Sequence, residues 1–381
     1  MIKRLFVSID FPPENGGIQN YVYGMVKHLN PSQTFVLTSN RIGKETYKRF
    51  DESQAYKTYR MGMTNRVSFI RQIQQLFGLI YYLVKIKRKH KIEELHFGNI
   101  MPIGVIGPLA RKWLKVNYYP YIHGLDFLES KQNRLKYKLL MYSLKRANKI
   151  ISNSQYTKTK LIEVGIKPAD IVIINPGTMK HDDIDLNTTA VSEKFGLADK
   201  AVLLTVGRLV KRKGHDLVIK ALQEVIKGNE EVVYVICGSG PERDNLEKIV
   251  KTLAMEKHVV FTGAIERSEL ETLYSLANLF IMLNQELHQE GDVEGYGIVF
   301  LEAGLHRTPV IGGRNGGVPD AVIDGKTGFL INPLDKKEVI QTILTLLNDH
   351  ELARKIGNNG YRWVTEHCLW KQRVNLLETL E

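Results

Sequence analysis

Cysteine is nearly absent from this 381-residue chain, with only Cys237 and Cys368 present. Two thiols form neither a disulfide framework nor a metal-ligand spacing, which suits a reducing compartment. Long apolar runs are missing as well. The longest uncharged one, Ile100 to Ala110, is too short to span a bilayer and contains two prolines and two glycines. The opening Met1-Ile2-Lys3-Arg4, leading into Leu5-Phe6-Val7, reads as a first strand and not as a signal peptide. Signatures of other chemistries are absent: no G-x-S-x-G, no H-E-x-x-H and no P-loop. No D-x-D triplet of the metal-holding kind stands at an expected strand end, and the aspartates of His181-Asp182-Asp183-Ile184-Asp185 fall in an expected linker. No metal site is therefore expected.

Acidic residues are also missing over one long stretch. From Ser53 to Ile92 there is none, while Lys57, Arg60, Arg66, Arg71, Lys85, Lys87, Arg88, Lys89 and Lys91 are basic. This stretch accounts for much of the formal charge of +12. Phe69, Leu76, Phe77, Leu79, Ile80, Tyr81, Tyr82 and Val84 are interleaved. Two readings fit: a surface over residues 57–91 that rests on anionic lipid, or a core helix with Lys and Arg on its solvent face. Nucleic acid would also favour the charge, but no nucleic-acid-binding motif accompanies it, so no such partner is expected.

What the chain does contain is a repeated alternation of short β-rich runs and amphipathic helical stretches. Strands are expected at 5–8, 35–38, 95–97, 117–122, 150–152 and 171–174. A second series is expected at 202–206, 232–237, 259–262, 279–283, 309–311 and 328–331. Strand–helix alternation implies parallel sheets covered on both faces, and here it occurs twice. The expected architecture is α/β, with two doubly wound Rossmann-like domains. They comprise residues 1–176, a linker at 177–191 beginning after Asn175-Pro176, and residues 192–361. A last helix at about 362–381 packs back on the first domain. Ligands are expected at the carboxyl ends of the strands.

Several strand ends carry suggestive residues. Glu294 to Glu302 reads EGYGIVFLE, with a glycine turn delivering the chain into a helix on which Ile298, Leu301, Glu302 and Leu305 share one stripe. A helix N-terminus attracts an anion, and a carboxylate on each side could accept from hydroxyls. That pairing describes a nucleotide-sugar, although an ordinary surface helix would read similarly. After the strand ending at Val206 comes GRLVKRKG, with Arg208 and Lys213 placed to neutralise a diphosphate or simply to decorate a basic loop. Gly238-Ser239-Gly240-Pro241 is a tight turn where backbone can approach a ligand. In the first half, Gly16 and Gly17 precede a helix from Ile18 to Leu29; they suit either phosphate contact or a plain turn. His123 follows a strand, at its carboxyl end.

Taken in order, these elements resemble the retaining glycosyltransferases of family 4, which have two facing Rossmann-like domains and an interdomain cleft, the GT-B fold. The resemblance covers almost the whole chain and includes the Gly16-Gly17 loop, His123-Gly124, GRLVKRKG, GSGPE and GDVEGYGIVFLEA. It closes with GGVPDAVIDGKTGFL from Gly316, in which Asp320 replaces the more usual glutamate. The stretch Asp292 to Glu302 is locally similar to bacterial GDP-mannose-dependent mannosyltransferases acting on phosphatidylinositol mannosides.

The resemblance implies a hexosyltransferase without a cofactor, taking GDP-mannose or a UDP-hexose as donor and a cell-envelope glycan or lipid-linked acceptor. It places the enzyme in the cytoplasm at the inner face of the membrane. Arg208 and Lys213 would bind the diphosphate, together with Gly238 and the N–H groups of Gly297, Ile298 and Val299. Glu294 would hold the transferred sugar and Glu302 the ribose. Gly16 and Gly17 would close over the diphosphate, and His123 would contact the sugar near the reacting centre. His123, Glu294, Arg208 and Lys213 form the expected catalytic set. Competing readings keep the fold but make the protein an epimerase, a synthase with a soluble acceptor, or a non-catalytic sugar-nucleotide-binding protein.

Overall fold

The computed structural model describes residues 2–14, 16–41, 44–62, 69–124, 133–181, 184–287 and 292–380. The chain forms two compact units, Met1–Gly177 with Trp370–Glu381, and Thr178–Leu369. Arg66, Arg71, Asp182 and Asp183, which figured in the reading of the sequence, belong to stretches whose backbone or side chains lie outside the described residues.

The N-terminal unit is built on seven parallel strands: β1 (Arg4–Ser8), β2 (Thr34–Ser39), β3 (Lys57–Met61), β4 (Glu94–Phe97), β5 (Asn117–Ile122), β6 (Ile150–Ser152) and β7 (Ile171–Ile173). Their order is β3-β2-β1-β4-β5-β6-β7. Every residue of β1 is buried, because helices cover both faces of a parallel sheet, so its side chains form one unbroken buried run. Val7 pairs with Leu37 on one side and with Phe97 on the other. The strand order reverses between β1 and β4, which opens a crevice at their carboxyl ends.

Strand β3 is absent from the sequence expectation, which assigned its residues to the basic segment. It is an edge strand, mostly half-exposed, and charged residues on an edge discourage pairing with another chain. Its Arg60 is a structural residue. The guanidinium makes two bonds to Asp51, both 2.8 Å, and donates to the carbonyls of Ser39 and Pro12.

The helix Phe69–His90 shows both characters considered for this stretch. Leu79, Leu83 and Ile86 lock into the core beneath the sheet, whereas Phe77 and Tyr81 are 66% and 59% exposed. Lys87 lies apart from the exposed stripe, since its Nζ donates to the Ile92 carbonyl at 2.5 Å and closes the helix end. No helix among the described residues is long and apolar enough to cross a membrane.

The C-terminal unit has six parallel strands: β8 (Ala201–Val206), β9 (Val232–Cys237), β10 (Val259–Gly263), β11 (Leu279–Met282), β12 (Val310–Gly313) and β13 (Gly328–Ile331). Their order is β10-β9-β8-β11-β12-β13, reversing between β8 and β11. Successive side chains of β8 enter opposite cores: Leu204 packs with Phe280 and Phe300, and Leu203 with Val218 and Leu222.

The final helical stretch is two helices. His350–His367 stays in the C-terminal unit, the chain breaks at Cys368-Leu369, and only Trp370–Glu378 returns to the N-terminal unit. The polar stretch after Gly177 gives way at Thr188 to a helix capped by Asn187, whose Oδ1 accepts from the Ala190 N–H at 3.0 Å. Trp370, 2% exposed, lies edge-on to Tyr21 and directly over Gly24 in the helix Gly17–His28.

A Cβ at Gly24 would stand 2.0 Å from the Trp370 ring. Alanine gains about 1 kcal/mol of helix propensity over glycine, but overpacking costs about 1–3 kcal/mol and more where backbone must move. Gly24→Ala is therefore expected to lower the thermal unfolding midpoint. A raised midpoint would show that Trp370 is not fixed where the packing places it.

Candidate active site

In the C-terminal unit, the loops after β8 and β9 are bound to each other. Gly207 N–H donates to the Cys237 carbonyl at 2.9 Å and Leu209 N–H to the Ser239 carbonyl at 3.0 Å. Gly238 has φ +139°, and a Cβ there would lie 2.0 Å from the Gly207 carbonyl oxygen. The glycine of the expected tight turn is thus required by backbone meeting backbone. Gly214, at φ +69°, abuts the Leu283 carbonyl in the same way and brings the cationic loop against the end of β11.

This closure delivers Lys213 to Glu294, 81 positions away in sequence, with Nζ 2.5 Å from Oε2. The pair is nearly buried, the two side chains being 10% and 12% exposed. Asn284, fully buried at the carboxyl end of β11, donates to the same oxygen at 3.2 Å, and its own Oδ1 has no partner among the described residues. Arg212 Nε stands 3.8 Å from Glu294, and its Nη1 pairs with Asp292 at 3.0 Å. Burial pushes the Glu294 carboxyl up, but the Lys213 and Arg212 charges and the Tyr296 N–H outweigh it, so the group lies below the ordinary carboxylate range. Behind the loop, burial and the Lys213 charge push the His215 imidazole down to about 4, leaving it neutral at pH 7.

The segment Gly316-Gly317 braces Glu294 from behind. Gly317 N–H donates to the Glu294 carbonyl at 2.9 Å, and Gly316, at φ +57°, has no room for a Cβ against that oxygen. Beyond Glu294 the chain turns through Gly297, at φ +95°, into the helix Ile298–Leu305. Among the described residues no side chain caps its start, and its first turn holds no acidic residue. Ile298 and Val299 form that first turn, and Glu302 sits on the second. Glu302 Oε2 accepts from the Tyr274 hydroxyl at 2.9 Å and Oε1 from Arg267 at 3.3 Å. Arg208 is exposed, and its side chain has no hydrogen bond or ion pair among the described residues.

In the N-terminal unit, Gly16 is extended, with φ 168°, at the start of the helix Gly17–His28. A Cβ at Gly17 would meet nothing among the described residues, so their packing does not require glycine there. His123 follows β5 with Nε2 3.0 Å from the Gly98 carbonyl and its ring edge-on to Tyr21. The same strand ends carry a polar cluster that the sequence did not reveal. Arg41 bridges Asp10 and Glu14 at 3.0 and 2.6 Å, and Asn99 ties Asp10 to Ser8 and the Ile9 N–H. These positions are scattered along the sequence and share no motif; only the strand order gathers them. Asn284, Arg267 and Tyr274 were likewise not foreseen, whereas Arg212 lies inside the GRLVKRKG run.

The site thus combines a strand switch, a nearly buried cation–carboxylate pair and a glycine-led helix start. The family model for glycosyl transferases group 1 matches residues 187–363, and that for glycosyltransferase family 4 matches residues 15–178. The chain is 30% identical, over 97% of its length and 95% of the relative's, to the GDP-mannose-dependent alpha-(1-6)-phosphatidylinositol monomannoside mannosyltransferase of Mycolicibacterium smegmatis.

Among solved structures, HepE of Anabaena in complex with UDP superposes with a TM-score of 0.80 at 19% identity, covering 100% of this chain and 99% of that one. Sucrose-phosphate synthase of Thermosynechococcus elongatus gives 0.78 at 21% identity, covering 99% and 98%. The chain belongs to glycosyltransferase family 4 and is a glycosyltransferase of the GT-B fold.

The Lys213–Glu294 pair has a definite pH signature. Because the folded-state value of Glu294 is depressed, its contribution is full above the unfolded value and is lost as pH falls through the folded one. Lys213→Met leaves a buried carboxylate short of its main partner and is expected to cost about 3 kcal/mol at pH 7. In urea unfolding the gap from wild type should narrow towards pH 4. A gap independent of pH would mean that the loss is one of packing.

Proposed function

We propose that the chain is a retaining hexosyltransferase moving a hexose from a nucleoside-diphosphate sugar to a cell-envelope glycan or lipid-linked acceptor. Its donor is GDP-mannose in preference to a UDP-hexose. The observation that carries the reading is the buried Lys213–Glu294 pair, with the helix start at Gly297 following Glu294 and with Arg208, which has no side-chain partner among the described residues, on the loop that bears Lys213. The mannosyltransferase relative, GDP-mannose-dependent by name, supports the choice of donor.

In this reading the C-terminal unit takes the nucleotide-sugar and the N-terminal unit the acceptor. Arg208 and Lys213 neutralise the diphosphate while the N–H groups of Gly297, Ile298 and Val299 meet its oxygens, which lowers the free energy of the departing group. Gly238 shapes the loop that carries Arg208. Glu294, its carboxylate held ionised, accepts from the hydroxyls of the transferred sugar, and Glu302 accepts from the ribose. On the N-terminal unit, Gly16 and Gly17 contact the diphosphate, and His123 contacts the sugar beside the reacting carbon.

The acceptor oxygen attacks the anomeric carbon on the face from which the diphosphate leaves. The C–O bond to phosphate breaks, the new glycosidic bond forms, and a phosphate oxygen takes the acceptor proton. No second carboxylate at hydrolase spacing is needed.

The enzyme works at the inner face of the membrane. Its contact is the exposed stripe of the helix Phe69–His90, where Phe77 and Tyr81 lie among Lys85 and Arg88 on a helix without acidic residues. Lys87 and Arg60, both committed to internal carbonyls, take no part.

Thermal-shift binding against UDP-, GDP- and ADP-sugars tests the donor site. GDP-mannose is expected to stabilise the wild type, and an Arg208→Ala/Lys213→Ala variant should lose that shift. Equal behaviour of the two proteins towards every nucleotide would sink the assignment. With donor and acceptor in hand, Glu294→Gln should lower kcat/KM about 100-fold, and NMR of the product should show retained anomeric configuration. An inverted linkage would end the mechanism. Lys85→Glu/Arg88→Glu is expected to release the protein from phosphatidylserine vesicles at low salt, while a Lys87→Met variant stays bound. Unchanged binding of the double variant would remove the membrane assignment.

A further inference from the structure

Glu302 is held at two points of opposite character. Its Oε2 accepts from the hydroxyl of Tyr274, which has no exposed surface, and its Oε1 pairs with Arg267, whose side chain is 41% exposed. We propose that Tyr274 is a positioning residue for donor recognition, fixing the Glu302 carboxylate so that its other oxygen meets the ribose hydroxyls. The proposal rests on the assignment of Glu302 to the ribose given above.

The Tyr274 ring cannot follow a wandering carboxylate. It belongs to the core around Phe280 and Phe300, and His306 stacks on it with ring centres 5.7 Å apart and planes within 12°. His306 is itself fastened by Glu271, Nε2 to Oε2 at 2.6 Å, and the Tyr274 carbonyl accepts from Thr308 Oγ1 at 2.8 Å. Burial and the neighbouring Glu302 charge hold the phenol well above its ordinary value, so it stays protonated and always donates. The hydroxyl is therefore a fixed, permanent donor to Oε2.

Arg267 differs in each respect. It lies at the start of its helix, is open to solvent, and divides its guanidinium between Glu302 and the buried Glu271. A ligand hydroxyl arriving at Oε1 can displace it while it keeps Glu271. One oxygen of Glu302 is thus committed and the other exchangeable. Fixing the carboxylate before the donor arrives removes the ordering cost that a free glutamate would incur on binding.

The test is calorimetric binding of GDP and UDP beside their 2′,3′-dideoxyribose forms, to wild type and to Tyr274→Phe, Glu302→Gln and Arg267→Gln. Wild type is expected to prefer the ribose form of its nucleotide by about tenfold or more. Tyr274→Phe keeps the ring and removes one oxygen; its preference should fall to about threefold or less, as should that of Glu302→Gln, while Arg267→Gln keeps it. Because each preference is a ratio measured on one protein, a general loss of stability does not imitate the result. A full preference in Tyr274→Phe with a lost one in Glu302→Gln overturns the proposal and leaves the ribose assignment standing. A full preference in Glu302→Gln, or none in wild type, overturns both. Loss in both Arg267→Gln and Glu302→Gln, with a full preference in Tyr274→Phe, would transfer the positioning role to the guanidinium.

Discussion

A buried ion pair between Lys213 and Glu294 is the constraint on which the C-terminal unit's site is built. Withdrawing two charges from water costs several kcal/mol each, and their attraction offsets this only where geometry is good and remaining lone pairs are satisfied. The surrounding backbone supplies those conditions. Gly214 and Gly316 occupy left-handed conformations against carbonyls that leave no space for a side chain, so the loop bearing Lys213 and the segment behind Glu294 both approach as closely as backbone allows. Asn284 and Arg212 complete the shell. A hydrophobic pair of similar volume would give comparable stability at less cost. The presence of charge here is therefore better explained by what the site does than by what holds the fold together.

Much of this architecture was legible in the sequence because parallel α/β folds write their strands as continuous apolar runs. Val232–Cys237, Asn117–Ile122 and Ile150–Ser152 were each identifiable on that basis. The pattern failed at β3, where Lys57-Thr58-Tyr59-Arg60-Met61 alternates charge with partial burial. Edge strands carry the weakest apolar signal, since half their surroundings are solvent, and a charge run masks what remains. The end of the chain misled for a different reason. A single helical period continues from Tyr361 towards Leu380, and only the local break at Cys368-Leu369 and the seating of Trp370 on Gly24 divide it between units.

The candidate site was legible where one loop carries several of its residues and obscure where topology assembles it. EGYGIVFLE and GRLVKRKG each announce themselves. Asp10, Glu14, Arg41 and Asn99 do not, because they converge only through the order of β2, β1 and β4. Asn284 and Tyr274 carry no local signal at all; one is a polar residue ending a strand and the other an aromatic on a buried helix face. The glycines of GSGPE show a further limit. Their spacing suggested close approach to a ligand; Gly238 also meets the Gly207 carbonyl, a contact between loops that no single-loop motif encodes.

The charge balance of the site also bears on how a diphosphate would be received. Lys213 and Arg212 are already paired with Glu294 and Asp292, whereas Arg208 has no ion-pair partner among the described residues. The overall charge of +12 draws anions from a distance, but salt screens that attraction beyond roughly 10 Å. Selectivity must therefore arise at contact. A diphosphate near Lys213 would share it with Glu294, and two unit charges at 4 Å interact by about 4 kcal/mol at an effective dielectric of 20. Glu294 would resist that sharing unless its carboxylate gained new donors at the same moment. Sugar hydroxyls are such donors, and free inorganic diphosphate has none to offer. A pair that first neutralises its own cation thus favours a ligand carrying both phosphate and hydroxyls over one carrying phosphate alone.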